Sequence, residues 1–398
     1  MKTVYVDNAA TTAMSDTAIE AMLPYLKEVY GNPSSLHTVG QVAKEALDSA
    51  REKIAKCLNC EPREVYFTSG GSESDNQCIC SAAINGARKG KKHIISTAFE
   101  HHAVLHTLKK LEKEGFEVTY LDVHSNGLVT AKEVEKAIRP DTALVTIMYA
   151  NNEVGTIQPI REIGAVCRKA GVVFHTDAVQ AVGHIPVAVQ ADNIDMLSIS
   201  AHKFHGPKGV GALYCRRGIP LNTFIEGGAQ ERGRRAGTEN IGGIVAMAAA
   251  LQEACEHMSE NIEKEKALRD KLIEGLLKIP YSRLNGDLKQ RLPNNVNISF
   301  EGTEGESLLL HLDAKGICAS SGSACTTASL EPSHVLLSLG LPHEIAHGSL
   351  RLTLSEENTE EQIDYIIKEV PEVVKTVRGI SSFWDDLESG KIKHFIKK

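Results

Sequence analysis

The sequence predicts an α/β protein with a mainly parallel β-sheet that helices cover on both faces. Two observations support this prediction. Strand-like apolar segments alternate with helical segments from about residue 64 to residue 214, and such alternation is typical of parallel sheets. The chain also has 398 residues, a length that favours two domains over one. We therefore expect a large domain that contains this sheet and a smaller second domain.

The individual elements follow from short apolar runs for strands and from helical spacing of apolar residues for helices. The predicted strands are 4–6, 64–68, 93–96, 117–121, 142–148, 172–175, 194–197, 210–214, 296–300 and 349–354. The predicted helices are 17–30, 39–56, 72–88, 103–114, 130–138, 160–170, 241–277, 306–313 and 360–376. Ligands of parallel sheets bind outside the carboxyl ends of the strands, so polar residues that follow a strand are the first candidates for a site.

Composition excludes several classes of protein. Hydrophobic residues make up 42% and charged residues 24% of the chain, and the net charge is −7, which argues against general nucleic-acid or membrane-surface binding. No stretch is apolar and long enough to span a bilayer, and the N-terminus does not resemble a signal peptide. Nine cysteines spread over the chain favour reduced thiols. We expect a cytoplasmic protein without nucleic-acid or membrane partners.

Lys203 lies in the segment 198–209, SISAHKFHGPKG, just after a predicted strand. Gly206, Pro207 and Gly209 form a turn there. A lysine in this position can form a Schiff base with a carbonyl, most often that of pyridoxal 5′-phosphate (PLP). The alternative is a solvated loop lysine.

Residues 69–72, SGGS, join a predicted strand to a helix start. Gly70 and Gly71 let the backbone approach a phosphate, which the amides at a helix N-terminus bind. Ser72 could add a hydroxyl donor, or it could be an ordinary N-cap residue.

Residues 175–180, HTDAVQ, follow another predicted strand. Asp177 could pair with a pyridinium nitrogen and keep it protonated. Gln180 could donate to the ring hydroxyl. The alternatives are a capping aspartate and a surface glutamine.

Two further strand ends carry polar residues. His101 in the segment 99–103, FEHHA, could stack on a cofactor ring and move protons at neutral pH. Adjacent histidines rarely ligate one metal together, so His101 and His102 predict no metal site. Asn152 follows the most apolar strand and offers an amide to a cofactor or substrate.

Arg351 and Cys325 are candidates for substrate binding and nucleophilic attack. Arg351 lies inside the apolar segment 349–353, where an unpaired arginine is costly; its partner is either a substrate carboxylate or an acid in a structural salt bridge. Cys325 lies in a segment of small residues, 320–329, that cannot bury it, so it is a candidate nucleophile rather than an inert thiol.

Several of these motifs together resemble the PLP-dependent cysteine desulfurases of the NifS/IscS type. The resemblance extends from residue 5 to about residue 354, and the motifs occur in the family's order. The segments that carry it are 5–12, 151–155, 175–180, 200–209 and 321–325. The segment 329–334, SLEPSH, and the length of the cysteine loop resemble the NifS/IscS group rather than the group of SufS and selenocysteine lyases.

The resemblance implies a homodimer of fold-type I in aminotransferase class V. It implies a large PLP-binding domain over 13–257 with a mainly parallel seven-stranded sheet. A smaller α+β domain would comprise 1–12 and 258–398 and carry the catalytic cysteine loop at about 320–330.

The resemblance also implies a role for each candidate residue. Lys203 would carry PLP as a Schiff base, Asp177 would face the pyridine nitrogen, Gln180 the ring oxygen, and His101 would stack on the ring. The phosphate would be held by Gly71, Ser72, Ser200 and His202, and by Thr238 of the other subunit. Asn152 and Arg351 would hold the substrate carboxylate, Asn152 also contacting the cofactor. Many relatives have threonine in place of Ser72, but the hydroxyl is kept.

The implied reaction converts L-cysteine to L-alanine and leaves a persulfide on Cys325. The sulfur would pass to an iron–sulfur scaffold protein of the IscU/NifU type or to other thio-cofactors. No resident metal is predicted, although Cys325 could transiently ligate an iron–sulfur cluster. The tail after Trp384 does not match that of IscS, which leaves the acceptor open.

Two alternatives remain at this point. The first is another class V PLP enzyme, such as an aminotransferase or a selenocysteine lyase, in which Cys325 is incidental. The second is a non-catalytic scaffold that holds iron–sulfur clusters through Cys325. Lys203 argues against the scaffold, which would not need a Schiff-base lysine.

Overall fold

The computed structural model describes residues 3–321 and 332–397. Cys325 and most of the predicted cysteine loop lie outside the described residues.

The described residues form the following strands and helices, with short 3₁₀ turns at Pro62–Glu64 and Ala201–Lys203. The strands are β1 (Val4–Tyr5), β2 (Val65–Thr68), β3 (His93–Thr97), β4 (Glu117–Leu121), β5 (Thr142–Thr146), β6 (Val173–Asp177), β7 (Met196–Ser200), β8 (Gly211–Cys215), β9 (Ser282–Leu284), β10 (Asn295–Phe300), β11 (Ile317–Cys318) and β12 (Ser349–Thr353). The helices are α1 (Asp16–Met22), α2 (Pro24–Lys27), α3 (Thr38–Leu58), α4 (Gly71–Ala87), α5 (His102–Lys113), α6 (Ala131–Ala137), α7 (Ile160–Ala170), α8 (Gln230–Gly233), α9 (Ile241–Leu276), α10 (Gly305–Asp313), α11 (His334–Ser338), α12 (His343–Ala346), α13 (Glu360–Arg378) and α14 (Ser382–Glu388).

The largest sheet among the described residues has seven strands in the order β2-β8-β7-β6-β5-β3-β4. The pairs β3–β4, β3–β5, β5–β6 and β6–β7 are parallel, whereas β8 runs antiparallel to both β2 and β7. Every residue of β5, β7 and β8 is buried, as expected for strands covered on both faces. The predicted α/β fold with a mainly parallel seven-stranded sheet is confirmed.

A second hydrophobic cluster forms away from this sheet. It combines side chains of β10, β12 and α13, such as Phe300, Leu352 and Ile366, with Val4 and Val6 of the N-terminal segment. The antiparallel sheet β12-β10-β9 and the parallel pair β1-β11 belong to this part of the chain. The N-terminal strand therefore packs with elements that follow α9.

Helix α9 joins the two clusters. Its first half contributes Ile244 and Met247 to the cluster around the large sheet, and its second half contributes Leu272 and Leu276 to the other. The Asn240 side chain caps its start by accepting the Gly243 N–H at 3.2 Å. The predicted helix over 241–277 is confirmed to within one residue.

Two predicted strand ends that matter for the site were wrong, and one predicted helix is divided. Strand β7 extends to Ser200, and β6 extends to Asp177, because these polar residues pair in the sheet ladders, as Asp177 does with Ser198. Asp177 and Ser200 are thus the last residues of adjacent strands. The predicted helix 17–30 is divided between α1 and α2 at Pro24, which cannot donate the backbone hydrogen bond that a continuous helix needs.

No helix in the described ranges combines the length and the apolar character needed to cross a membrane.

Candidate active site

A cavity of about 340 Å³ opens at the carboxyl ends of β6 and β7. This volume lies within the usual range for small-molecule sites. Ten of the predicted site residues line it: Gly71, Ser72, His101, Asn152, Asp177, Gln180, Ser200, His202, Lys203 and Arg351. The structure therefore brings together side chains that the sequence separates by up to 280 residues, counted from Gly71 to Arg351 (351 − 71).

Lys203 enters the cavity from the 3₁₀ turn that follows β7. Its Nζ donates to the carbonyls of Ala9 at 2.7 Å and Ala10 at 2.8 Å. Its own carbonyl lies 2.8 Å from His184 Nε2. Since both ends of the residue are held, Lys203 is not a solvated loop lysine, and its amine is presented to the cavity.

Asp177 is the last residue of β6, which neighbours β7, and Gln180 lies in the segment that follows β6. Asp177 is buried, and its Oδ1 accepts the Val179 N–H at 2.9 Å. Burial raises the pKa of Asp177, while His101, the Val179 amide and Lys203 act in the opposite direction. Gln180 is only 9% exposed and donates to the Ala9 carbonyl at 3.1 Å. The alternative of a surface glutamine is therefore wrong, and Asp177 accepts a local hydrogen bond while also facing the cavity.

The start of α4 forms the opposite side of the cavity. Gly70 occupies the N-cap with a φ of 152°, and α4 begins at Gly71, so Ser72 is not the N-cap. A Cβ at Gly71 would lie 2.7 Å from Val179 Cγ2 and 3.6 Å from Ser200 Cβ, so only glycine lets the helix start pack this closely against the end of β7 and the segment after β6. The free amides of a helix start favour an anion in front of the helix.

Lys208 is a cationic residue beside this helix start that the sequence motifs did not assign. With Thr11, Ser69 and Gly209 it lines a depression that also includes Gly71, Ser72, Ser200 and His202. A lysine there complements an anion bound by the α4 amides. The sequence does offer a signal for Lys208, because this residue precedes Gly209 in the same predicted turn as Lys203.

His101 caps the start of α5 and faces the cavity. Its Nδ1 accepts the Ala103 N–H at 3.1 Å, which leaves Nε2 for a ligand. Burial lowers the pKa of His101, and Lys203, His334 and His106 lower it further, whereas Asp177 raises it. The ring is therefore neutral at pH 7, and because Nδ1 is an acceptor, its proton is on Nε2, which can donate to a ligand in the cavity.

His202 also carries a neutral ring. Its Nδ1 lies 3.2 Å from Thr11 Oγ1. Burial lowers its pKa to about 4, and Lys203 and Lys208 contribute to that shift. A neutral imidazole can donate one N–H to an anion beside Ser200.

Arg351 is 2% exposed and reaches the cavity from β12. Its Nη2 forms an ion pair with Asp7 Oδ1 at 2.8 Å, and its Nη1 donates to the Asn152 carbonyl at 3.0 Å. Both sequence-based interpretations of Arg351 thus have support, because it has an acidic partner and also lines the cavity. Asp7 is a site residue that the sequence motifs did not reveal.

Two predicted residues are not among those that line the cavity. Thr238 is exposed and lines a separate depression with Ser69, Arg235 and Glu239. Its approach to the phosphate from another subunit stays a prediction. Cys325 lies outside the described residues, so its role also stays a prediction.

Asp75 is a further cavity residue that sequence reasoning missed. It follows Ser72 by one helical turn on α4, and this spacing places both residues on the same face of the helix. The same spacing rule could have identified it.

The comparisons with known proteins agree with this geometry. A family model described as aminotransferase class-V matches residues 4–366. The chain is 56% identical over 380 residues to the cysteine desulfurase IscS of Methanosarcina thermophila, covering 96% of this chain and 94% of the relative. It is 53% identical over 393 residues to the cysteine desulfurase IscS of Clostridium botulinum, covering 98% and 99%.

A solved structure titled as a NifS-like protein superposes with a TM-score of 0.88 at 41% identity and covers 94% of this chain and 100% of that one. Together, the strand-end cavity, the matched family model and the full-length relatives identify the protein class. The chain belongs to the aminotransferase class-V family and, within it, to the PLP-dependent cysteine desulfurases.

Proposed function

We propose that this cysteine desulfurase converts L-cysteine to L-alanine and retains the released sulfur as a persulfide on Cys325. The observation that supports this best is the convergence of Lys203, Asp177 and Arg351 on one cavity. The Lys203 amine can bind the carbonyl carbon of PLP, and the buried Asp177 can pair with the ring nitrogen. Arg351 can bind the carboxylate of an amino acid.

The residues of the cavity fit PLP in kind and in placement. Lys203 would hold the aldehyde carbon, Asp177 the ring nitrogen, and Gln180 the ring oxygen. The α4 amides at Gly71 and Ser72, with Ser200 and His202, would hold the phosphate. When bound, PLP supplies an electron sink that stabilises a carbanion at the substrate Cα.

The protein's own groups then perform the remaining tasks. Arg351 would orient the substrate through two parallel hydrogen bonds to its carboxylate, with the Asn152 side chain beside it. Lys203 Nζ would take the proton from Cα, and His101, whose neutral ring carries its proton on Nε2, would donate that proton near the substrate sulfur and take it back afterwards. Asp7, which pairs with Arg351, would hold the guanidinium in place between turnovers.

The start of the cysteine segment is held next to Arg351. Ser320 N donates to the Arg351 carbonyl at 3.2 Å, and Arg351 N donates to the Ser320 carbonyl at 2.6 Å. Cys325 follows Ser321 by four residues, and an extended chain of that length spans about 14 Å at most. Chain length therefore allows the thiol to reach the substrate sulfur, whose attack would yield the persulfide.

The wider assembly also belongs to this proposal. We infer a homodimer, since Leu23, Leu26 and Tyr30 lie close together in sequence and are all more than half exposed, as at an interface. In such a dimer Thr238 of each subunit would reach the phosphate of the other. Each subunit would have a large domain over 13–257 and a small domain over 1–12 and 258–398.

We further propose an iron–sulfur scaffold protein of the IscU/NifU type as the sulfur acceptor, because the two relatives named above carry the IscS name. Transient ligation of a cluster by Cys325 would accompany that transfer. The eight cysteines within the described ranges are free thiols, which suits work in the reducing cytoplasm.

The test is a product analysis of the purified enzyme with L-cysteine and a thiol reductant. We expect alanine and sulfide in equal amounts and no 2-oxo acid. An aminotransferase would instead produce a 2-oxo acid from the amino donor, and this outcome would overturn the proposal. Selenocysteine turnover without cysteine turnover would favour the lyase alternative.

A further inference from the structure

Asp75 is a buried acid in the cofactor cavity to which the proposed reaction assigns no task. It lies in the second turn of α4, is 1% exposed and lines the cavity. Its Oδ1 has no hydrogen-bond partner within the described part of the chain. A buried carboxylate oxygen in that state is costly, so its protonation state needs an explanation.

The nearest basic group does not neutralise Asp75. His175 Nε2 lies 3.6 Å from Asp75 Oδ1, but this nitrogen is within 3.0 Å of Ser198 Oγ, and Nδ1 is within 2.8 Å of Thr146 Oγ1. Burial lowers the pKa of His175 to about 3. The imidazole is therefore neutral and supplies no positive charge.

The nearest acid is Asp177. One oxygen of Asp75, one of Asp177 and one ring nitrogen of His101 lie within 4.8 Å of one another. Two buried carboxylates so close together repel each other, and one of them keeps its proton. The question is which of the two is protonated.

The surroundings of the two acids differ in the groups that oppose the effect of burial. Burial raises the pKa of Asp75 well above its usual range, Asp177 and Glu100 raise it further, and only the nearby Ser198 hydroxyl opposes them. Burial raises the pKa of Asp177 as well, but the Val179 amide donates to this carboxylate and the Lys203 amine adds a positive charge nearby, and both lower its pKa. The cationic ring nitrogen of bound PLP would stabilise the Asp177 carboxylate further.

We propose that Asp75 and Asp177 form a pair that carries one negative charge, with the proton on Asp75 and the charge on Asp177. Asp75 is then a positioning residue: it limits the charge that faces the cofactor ring nitrogen to that of a single carboxylate. The inference rests on the proposed cofactor site but not on the identity of the substrate or of the nucleophile.

The proton on Asp75 can be observed directly. Infrared difference spectra of the wild-type enzyme minus Asp75→Asn, both loaded with PLP at neutral pH, should show the carbonyl band of a protonated carboxylic acid. The other buried acids with a raised pKa, including Glu100 and Glu265, occur in both proteins and cancel. A difference spectrum that shows only carboxylate bands would overturn the proposal.

The cofactor provides a second readout. Because asparagine resembles a neutral aspartic acid, Asp75→Asn should bind PLP within about threefold of the wild type and leave the pH titration of the cofactor absorbance unchanged. A titration shifted by about one unit or more would mean that the variant lost a charge, and this would also overturn the proposal. Asp177→Asn is the matched control, and it should weaken PLP binding.

Two measurements on unsubstituted protein keep the test decisive if the variant does not fold. Isotope-labelled aspartate should shift the protonated-acid band of the wild-type enzyme, and an unshifted band would count against Asp75. Metal analysis of the cofactor-free protein should find no bound divalent cation. A stoichiometric cation in this cavity would mean that a metal, and not a proton, offsets the repulsion between the two carboxylates, and this would overturn the proposal.

Discussion

Asp7 Oδ1 lies 2.8 Å from Arg351 Nη2, although 344 residues separate the two along the chain. The pair connects the loop after β1 to β12 at the edge of the cavity. A guanidinium has five N–H donors, so Arg351 can keep Asp7 and still bind a substrate carboxylate. Asp7 thus prevents the buried arginine from carrying an uncompensated charge before substrate arrives.

We predict that Arg351→Ala raises the KM for L-cysteine while PLP stays bound. A charge-assisted hydrogen bond contributes about 1.5–3 kcal/mol, which corresponds to roughly one to two decades in affinity. Steady-state kinetics on variants checked for cofactor absorbance would measure this. Asp7→Asn is the control, since it keeps the hydrogen bond and should change KM far less. An unchanged KM with a lower Tm would assign Arg351 a structural role only.

Replacement of Lys203 by alanine should abolish covalent attachment of the cofactor and turnover, while the fold persists. The reason is that Lys203 Nζ is the amine presented to the cavity by two backbone carbonyls. Borohydride reduction followed by mass analysis of the peptide would detect the attachment. Lys208→Ala, farther along the same loop, should still trap the cofactor. Normal desulfuration by Lys203→Ala would refute its assignment.

The His205–Glu356 pair predicts a pH dependence of stability next to the Schiff-base lysine. His205 Nε2 lies 3.4 Å from Glu356 Oε1. Burial alone would lower the pKa of His205, but Glu356 and the Ala13 carbonyl raise it above the usual 6.5. Burial would raise the pKa of Glu356, but His205 lowers it to about 2 from the usual 4.5.

The sign follows from these directions. The stability contributed by His205 is fully present below pH 6.5 and is lost as the pH rises through the pKa of His205 in the folded protein. The stability contributed by Glu356 is present above pH 4.5 and is lost as the pH falls towards 2. The pair therefore stabilises most between these limits. Because the Glu356 side chain is 36% exposed, solvent screening reduces the contribution to about 1 kcal/mol.

Urea unfolding of wild type and Glu356→Gln would measure the difference at about pH 5.5 and about pH 8.5. The variant should lose more free energy of unfolding at the lower pH. The exposed neighbour Glu357, which raises the pKa of His205 less than Glu356 does, should show a smaller effect in the same direction when it is replaced in Glu357→Gln. Equal losses for Glu356→Gln at both values would exclude the ion pair as the cause.

Local pattern predicted most of the cavity for a simple physical reason. Asp177 and Lys203 each follow an apolar run, and parallel strands bring their carboxyl ends to one edge of a sheet. The structure places both residues in one cavity. Asp7 could not be found in this way, because its partnership with Arg351 depends on how β1 packs against elements after α9. Asp75 was missed because it lies in the second turn of a helix and does not directly follow a strand, although it lines the cavity.

Thr238 illustrates a different limit. No local pattern shows that an exposed residue of one chain serves a site in another, and its role was inferred from resemblance alone. The predicted strand ends before Asp177 and Ser200 were wrong for another reason. Polar residues at the end of each strand still pair in the buried sheet, so the apolar run stops before the strand does.

Mass analysis of peptides after a single addition of L-cysteine would show whether Cys325 accepts the sulfur of the substrate. The wild-type enzyme should carry a persulfide on the Cys325 peptide. Serine is barely ionised near neutral pH and cannot carry sulfur onward, so Cys325→Ser should bind L-cysteine, seen as a change in cofactor absorbance, but release neither alanine nor sulfide. The neighbouring Cys318→Ser is the matched control and should keep both the persulfide and the activity. If Cys325→Ser released alanine and sulfide at the wild-type rate, Cys325 would not be the nucleophile, and the proposed transfer of sulfur through its thiol would be wrong.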